Sequence, residues 1–293
     1  MTIVNNNKNI NINYLTIGIL FFNESEHDII RLYKSLKRQT DKRFNLNIIK
    51  DYNPQHMRTT QSLDLFKTFS NINIILNEQN LGTTKNRNLI VSGVKTKYFV
   101  FIDGDDFVNK EFVSNINNAA KTEDSDLMYY DYRRNDNKGK RYLVSLADYT
   151  QNGSLDIARN LKKWALLGCS VMKTEMVVAS GMYHETGFED LDLFLRLFRL
   201  EKVKTKYIPG ALYFWDNKSS GRNSKGESLD FATVMIANYS TFKYFLHKKE
   251  IKELYNNVFN ILIKNNKIRI GLIFSLKHAI WFQFPRLIYH FIK

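Results

Sequence analysis

Residues 97–106 read KYFVFIDGDD, and this stretch decides which fold the sequence predicts. Its first part, KYFVFI, is an almost continuous apolar run, which is typical of a strand buried on both faces. An acidic turn, Asp103-Gly104-Asp105-Asp106, follows at once. A buried strand that ends in a charged turn is expected in an α/β sheet, where ligands bind at the carboxyl ends of the strands.

Strand and helix patterns alternate through the first half of the chain. Apolar runs predict strands at 14–22 (YLTIGILFF), 44–49 and 71–76, and apolar residues at helical spacing predict helices at 25–39 and 81–94. This alternation predicts an α/β fold with a mostly parallel central sheet flanked by helices.

Polar residues follow each predicted strand directly, namely Asn23-Glu24, Asp51, Asn77-Glu78 and Asp103. The carboxyl ends of parallel strands lie at one edge of a sheet, so these side chains are expected to converge there. The sequence therefore predicts one binding site at this edge.

The acidic turn predicts a metal site. Clustered carboxylates repel one another unless a cation offsets their charge, and hard oxygen ligands suit Mn²⁺ or Mg²⁺. Gly104 is expected to allow an unusual backbone angle. The alternative is an acidic turn that only caps a helix starting near Asn109. The position of the turn at a strand end favours the metal site.

After Asp124 the pattern changes, and the sequence shows no internal repeat. The remaining predicted segments are a strand at 126–132, a charged loop at 133–141, a helix near 154–163, an amphipathic helix at 188–200, a strand at 203–215, a mobile loop at 217–227 and helices beyond it.

The composition limits the class of protein. The chain has 293 residues, of which 44% are hydrophobic and 25% charged, as is typical of a packed globular protein. Its net charge of +14 indicates anionic partners. A single cysteine, Cys169, excludes an intrachain disulfide, so a reducing cytoplasm is expected.

Two features concern membranes and export. Residues 1–13 are rich in asparagine and lack the apolar stretch of a secretory signal, so a disordered tail is expected there. No run of about 20 apolar residues occurs, because charged residues interrupt the most apolar C-terminal segment. No transmembrane segment is expected.

An ordered series of motifs resembles the family 2 glycosyltransferases. The series is Asn80-Leu81-Gly82, Lys85, Arg87-Asn88 and then YFVFIDGDD, and the resemblance covers residues 14–215. It implies a GT-A catalytic domain at 14–222, with a nucleotide-sugar half at 14–106 and an acceptor half at 107–222, followed by a helical C-terminal region at 223–293. It also implies inverting transfer of a sugar, with a UDP-sugar as the expected donor.

The resemblance assigns roles to residues of the donor site. Asp105 is the expected main metal ligand, and Asp103 is expected to contact the ribose or the metal. Arg87 is expected to support the diphosphate region, or instead to form a salt bridge to the acidic turn. Asp51 is expected to read the nucleotide base, although Lys50 stands where the family usually has the first of a pair of aspartates.

Other donor-site residues follow from the same motifs. Phe22 is expected to pack beside the base or in the core, and Arg222 belongs to a basic loop, with Lys218 and Lys225, that either closes over the diphosphate or is simply solvated. The rest of the set is Glu24, Gly82, Lys85 and Gly104.

Glu189-Asp190 opens the predicted helix at 188–200. Carboxylates are stabilised at a helix N-terminus, which is a sufficient structural explanation. The resemblance implies a further role, because the family has a Glu-Asp pair here and one member serves as catalytic base. We expect Asp190 to be the base, with Glu189 as the alternative.

The segment 243–293 is basic and rich in aromatic residues. It predicts amphipathic helices that lie on an anionic membrane surface, which would make the protein peripheral on the inner face of the cell membrane. Docking on the catalytic domain and a homo-oligomer interface are alternatives. No motif for nucleic acid is present, so no nucleic-acid partner is expected.

The leading hypothesis is thus a metal-dependent transferase that acts on a glycan, lipid-linked or glycoprotein acceptor in cell-surface polysaccharide synthesis. A nucleotidyltransferase is an alternative, but it needs a glycine-rich basic loop where FFNESEHD stands. A catalytically silent, membrane-associated scaffold is the other alternative, and the intact acidic motifs disfavour it.

Overall fold

The structure is a computed structural model that describes residues 2–7, 14–135, 139–163, 170–199, 203–216, 224–278 and 287–288. The chain divides into two compact units. The first consists of Met1–Tyr183 and Glu201–Lys218, and the second of His184–Leu200 and Ser219–Lys293.

The first unit contains the sheets. Its strands are β1 (Thr2–Asn7), β2 (Leu15–Phe21), β3 (Asn45–Lys50), β4 (Asn71–Leu76), β5 (Tyr98–Asp103), β6 (Phe107–Val108), β7 (Leu127–Asn135), β8 (Arg141–Val144), β9 (Thr150–Gln151), β10 (Ser154–Leu155), β11 (Ser170–Lys173) and β12 (Thr205–Trp215). The main sheet has the order β1-β4-β3-β2-β5-β11-β7-β12-β6, with β8 beside β7. Strands β4, β3, β2 and β5 are parallel neighbours, as are β7 and β12.

Helices flank this sheet and form the second unit. Those of the first unit are α1 (Glu26–Lys37), α2 (Gly82–Ser92), α3 (Phe112–Thr122), α4 (Ile157–Lys163) and α5 (Thr174–Ala179), together with 3₁₀ segments at Pro54–Thr68 and Leu146–Tyr149. Those of the second unit are α6 (Glu189–Arg199), α7 (Ser224–Ala237), α8 (Tyr239–Phe245), α9 (Lys248–Lys264) and α10 (Ile268–His278). The predicted α/β fold with a mostly parallel sheet and a helical C-terminal region is confirmed.

The centre of the sheet is formed by the two most apolar runs of the sequence. In β2 and β5 the residues from Leu15 to Ile19 and from Tyr98 to Ile102 are buried, because helices cover both faces. Gly18 allows this packing, since a Cβ built there would lie 2.8 Å from side-chain carbons of Ile90 and Phe101. The two strands run parallel, so their ends bring the following turns to one edge.

Helix α1 begins with a capping box formed by Ser25 and Asp28. Ser25 is the N-cap, and its hydroxyl oxygen accepts a hydrogen bond from the backbone N–H of Asp28 at 3.3 Å. The Asp28 carboxylate accepts a bond from the Ser25 backbone N–H in return. This reciprocal cap satisfies N–H groups that the first turn otherwise leaves without partners, and it fixes how α1 leaves the end of β2.

The prediction of a disordered tail at 1–13 is wrong for residues 2–7. Strand β1 pairs antiparallel with β4 from Thr2↔Leu76 to Asn7↔Asn71. The open edge of β4 offers backbone N–H and C=O groups, and an extended segment with Thr2, Ile3 and Val4 pairs with them. Met1 and residues 8–13 lie outside the described residues.

Three other local expectations differ from the structure. Of the charged loop predicted at 133–141, residues 133–135 belong to β7 and Arg141 to β8, which pair antiparallel, while 136–138 lie outside the described residues. The helix predicted from 154 begins at Ile157, after β10. Of the mobile loop predicted at 217–227, residues 224–227 belong to α7, and 217–223 lie outside the described part of the chain.

No helix in the described ranges combines the length and hydropathy needed to cross a bilayer.

Candidate active site

The acidic turn after β5 separates its carboxylates into two kinds. The Asp103 side chain is 57% exposed, and Asp105 is half-buried. Asp106 is only 1% exposed. Two of the three acids in the motif can therefore reach a ligand, and the third belongs to the interior.

Asp106 holds the turn from within. Its carboxylate accepts a hydrogen bond from the Tyr213 hydroxyl at 2.5 Å and another from the Asp216 backbone N–H at 2.7 Å. The Tyr213 oxygen in turn accepts a bond from the Asp103 backbone N–H at 3.1 Å. Burial, and next the charge of Asp103, raise the pKa of Asp106 to about 8. Asp106 therefore connects the turn to the end of β12.

Gly104 is needed in the turn for close packing and not for an unusual backbone angle. Its φ does not lie in the left-handed region, so the predicted unusual backbone angle is wrong. A Cβ at this position would lie 2.5 Å from Cδ1 of Phe21 and 3.0 Å from Cδ of Glu24. The glycine is needed because these side chains pack directly against the backbone of the turn.

Arg31, which the sequence analysis did not identify, clamps the turn from the outside. Its guanidinium donates to the backbone carbonyl of Asp105. It also forms an ion pair with Asp216 at 2.6 Å and one with Asp28 at 3.3 Å, and lies 4.9 Å from the centre of the Phe107 ring. No sequence motif marks Arg31, whereas Asp216 directly follows a predicted strand and carries the same strand-end signal as Asp103.

Arg87 lies under the turn. It is 7% exposed, and its guanidinium stacks over the rings of Phe101 and Tyr183 at 5.3 and 5.6 Å. One guanidinium nitrogen is 3.6 Å from Asp103 Oδ1. The predicted salt bridge to the acidic turn is therefore present, and it places a buried positive charge beside the exposed carboxylate.

The turn after β2 lies beside the acidic turn. Phe22 is 37% exposed while Phe21 is fully buried, so Phe21 is the core residue of the pair. The Glu24 carboxylate accepts a hydrogen bond from the Phe22 backbone N–H, and Lys50 Nζ donates to the Phe22 carbonyl, each at 2.5 Å. Burial raises the pKa of Glu24 to about 7. Lys50 thus fixes this turn, while the Phe22 ring faces solvent.

Asp51 organises the start of α2. Its carboxylate accepts hydrogen bonds from the backbone N–H groups of Leu81 and Gly82 at 3.0 Å each and from the Asn77 side chain at 3.0 Å. It caps the helix together with the Asn80 side chain, whose Oδ1 accepts a hydrogen bond from the Gly82 N–H at 2.9 Å, because the N-cap residue Leu81 supplies no side-chain bond. Gly82 has φ +77°, which favours glycine. Base recognition by Asp51 stays a prediction.

No cluster of three or more His, Cys, Asp or Glu side chains suited to a metal ion occurs within the described ranges. Asp103 and Asp105 fit a different kind of site. Mg²⁺ commonly uses one or two carboxylates and takes its other ligands from water and substrate phosphates. The exposed Asp103 and the half-buried Asp105 at the strand end offer this chemistry, whereas the Asp106 carboxylate is buried.

Glu189 and Asp190, one of which is the expected catalytic base, belong to the second unit. Glu189 is 4% exposed, and Asp190 is half-buried at the first turn of α6. Asp192, two residues further on, is buried and accepts hydrogen bonds from the Arg196 side chain at 2.8 Å and from Asn238 at 3.1 Å. His184 Nδ1 lies 3.2 Å from the same carboxylate. Asp192 therefore ties α6 to its neighbours, and Asp190 is the more accessible member of the pair.

The remaining predicted residues are placed as follows. Lys85 is exposed on α2. Lys218, Arg222 and Cys169 lie outside the described residues, as does the side chain of Lys225.

Comparisons of the sequence give one family and one curated relative. The model of Glycosyl transferase family 2 matches residues 16–173, more than half of the chain. Teichoic acid poly(glycerol phosphate) polymerase from Staphylococcus epidermidis is 32% identical over 94 residues. That match covers 32% of this chain but only 13% of the polymerase.

Solved structures with the same fold include two types of protein. S. aureus TarS 1-349 in complex with UDP-GlcNAc aligns with a TM-score of 0.66 and 18% identity, over 84% of this chain and 72% of that one. GalNAc-T7 with UDP, GalNAc and Mn²⁺ aligns with a TM-score of 0.57 and 12% identity, over 78% and 48%. At these identities the likeness concerns the fold.

Proposed function

The chain belongs to Glycosyl transferase family 2, is a glycosyltransferase and has the GT-A fold, and on this premise we propose that it is metal-dependent and transfers a sugar from a UDP-sugar with inversion. The acceptor is a hydroxyl of a cell-surface glycan or its lipid-linked precursor. The observation that carries the proposal is the pair of accessible carboxylates, Asp103 and Asp105, held in a fixed turn at the end of the central strand.

The donor half of the site is supported by three features. Asp103 and Asp105 would hold Mn²⁺ or Mg²⁺, which offsets the charge that develops on the departing diphosphate. The exposed Phe22 ring is available for packing against a base, and Phe22 lies on a turn that Lys50 fixes. Structural neighbours bind UDP-GlcNAc and UDP, so UDP-GlcNAc is the donor to test first.

Asp190 is the proposed general base. The acceptor oxygen attacks the anomeric carbon, the bond from that carbon to the diphosphate breaks, and the acceptor proton passes to the Asp190 carboxylate. The nucleoside diphosphate leaves with the electron pair of the broken bond. Asp190 is favoured over Glu189 because Glu189 is buried, whereas a base must reach a hydroxyl of the acceptor.

The test is a screen of nucleotide sugars for donor hydrolysis by the wild-type chain, starting with UDP-GlcNAc and read out as release of UDP. We expect turnover with Mn²⁺ or Mg²⁺ and its loss with a chelator. Glu253→Gln, an exposed substitution on α9, is the control for removal of an acidic charge and should leave turnover intact. Absence of turnover with every donor, or equal turnover in the chelator, would refute the proposal.

Membrane contact through the second unit is part of the same proposal. On α10 the side chains of Ile270, Ile273 and Leu276 are 45%, 58% and 55% exposed, and their spacing places them on adjoining turns of one helix. Arg269 and Lys277 supply charge for an anionic surface. Ile273→Glu should reduce flotation with phosphatidylglycerol vesicles, and equal flotation of both proteins would contradict the membrane contact.

A further inference from the structure

A basic cavity lies between α1 and β6, within the first unit. Its volume is about 460 Å³, and the described residues that line it are His27, Ile30, Arg31, Lys34, Ser35, Arg38, Phe107, Val108 and Lys110. Four of these side chains are lysine or arginine, and none of the nine is acidic. The cavity therefore offers positive charge in a concave surface, which suits an anion.

The cations of α1 form one row. Arg31, Lys34 and Arg38 are three or four positions apart, so they lie on one face of the helix and its C-terminal cap. With a rise of about 1.5 Å per residue, the row extends over roughly 10 Å. Attraction to the C-terminal end of the helix dipole explains basic residues in the last turn only. It does not explain Arg31 in the middle of α1, or Lys110 from another part of the chain.

The charge of the cavity is only partly neutralised by the protein. Arg31 pairs with Asp28 and Asp216, and Lys110 Nζ lies 3.4 Å from Glu111. Lys34 and Arg38 are exposed, and neither forms an ion pair with a residue in the described parts of the chain. These two side chains are available to donate charge-assisted hydrogen bonds to an anion.

Arg31 connects the cavity to the active-site turn. The same guanidinium that lines the cavity donates to the backbone carbonyl of Asp105. An anion held along α1 would therefore extend from the acidic turn. The row is longer than a single phosphate, which favours an extended anion with repeated charges. A lipid surface is disfavoured, because none of the described apolar lining side chains is among the exposed ones.

We propose that this cavity binds the phosphodiester backbone of an anionic acceptor polymer and holds it beside the active-site turn. This inference rests on the proposed transferase function and narrows its acceptor to a phosphate-containing chain. Lys34 and Arg38 are the residues expected to contribute most to polymer binding.

The test is direct binding of a fluorescent poly(glycerol phosphate) chain, measured by anisotropy. Lys34→Gln with Arg38→Gln should weaken binding about tenfold, because charge-assisted hydrogen bonds are lost. The control is Lys95→Gln with Lys121→Gln, which removes the same charge from exposed positions of the first unit outside the cavity lining. This control should change binding by less than about twofold.

The outcomes separate this inference from the proposed function. Polymer binding needs no turnover, whereas the transferase proposal is tested by hydrolysis of the donor. Equal losses in the two double variants would indicate attraction to the overall positive charge and overturn the inference, as would no binding by the wild-type chain. A second arm uses phosphatidylglycerol vesicles, and a loss confined to vesicles would assign the cavity to lipid headgroups and also overturn it.

Discussion

The acidic turn at residues 103–106 and the acidic helix start at residues 189–192 have the same plan. Each contains accessible acid, Asp103 and Asp105 in the turn and Asp190 in the helix, together with a buried aspartate that holds the backbone. They differ in the partners of that buried residue. Asp106 is bonded to a tyrosine hydroxyl and a backbone N–H, whereas Asp192 is bonded to Arg196 and Asn238 and lies beside His184.

This difference shows how environment divides roles among chemically identical residues. Neutral donors leave the charge of Asp106 uncompensated, so burial raises its pKa to about 8 and favours the neutral acid. Arg196 compensates the charge of Asp192, and the ion pair joins two turns of α6. The accessible acids are then supported by a neutral group in one region and an ion pair in the other.

The largest loss of transfer activity is expected on substitution of the accessible acids, and UDP binding should distinguish their functions. Asp190→Asn should lower transfer by about 10² to 10⁴-fold, because the acceptor hydroxyl loses its base. Asp105→Asn should also abolish transfer, and it alone should greatly weaken binding of UDP in the presence of Mn²⁺. Transfer assays and calorimetric titration with UDP measure the two properties. Full activity of Asp190→Asn would remove this residue as the base.

The next prediction concerns stability and tests the ion pair between Asp192 and Arg196 in α6. Asp192→Asn should lower the free energy of unfolding by about 2 kcal/mol, because Arg196 loses its charged acceptor in a largely buried position. Thermal and urea unfolding report this change. Glu253→Gln, an exposed substitution on α9, is the control and should be neutral. An unchanged stability of Asp192→Asn would show that the ion pair does not support the helix start.

A smaller loss of activity is expected when Arg31, which is bonded to the acidic turn, is removed. Arg31→Ala removes the donor to the Asp105 carbonyl and should lower kcat/KM for donor hydrolysis about tenfold by misplacing the carboxylates. The Mn²⁺ concentration needed for half-maximal rate should rise with it. Donor hydrolysis needs no polymer, so the measurement is independent of the basic cavity. Arg31→Lys should restore part of the loss, and an unchanged metal requirement in Arg31→Ala would contradict a positioning role.

The smallest effect is expected on the melting temperature of Asp106→Asn at pH 6, because the amide replaces a carboxyl group that is neutral at this pH. The sign of the pH dependence follows from the raised pKa. The stability linked to Asp106 is fully present below the unfolded pKa of about 4 and is lost as pH rises through about 8. The melting temperature of the metal-free wild type should therefore fall more between pH 6 and 9 than that of Asp106→Asn. Parallel curves would contradict the raised pKa.

The first half of the fold was predictable because its pattern is local. Long apolar runs and helical spacing predicted β2 to β5, α1 and α2 to within a few residues, and the strand-end rule identified the turn at Asp103. The edge strand β1 was missed, since its pairing depends on the free edge of β4 and hardly on its own composition. The strand at 126–132 was predicted, but its continuation to Asn135 and its pairing with β8 were missed, because the charged residues at 133–141 favour a loop.

The sequence by itself determined the α/β class, the position of the acidic turn and the acidic start of α6, because each follows from neighbouring residues. The tertiary structure decided which acids are accessible. Asp106 is buried because Tyr213 and Asp216, more than 100 residues away, reach its carboxylate, and the turn is clamped because Arg31 on another element reaches the Asp105 carbonyl. Such contacts are made by the packing of distant segments, which no local pattern encodes.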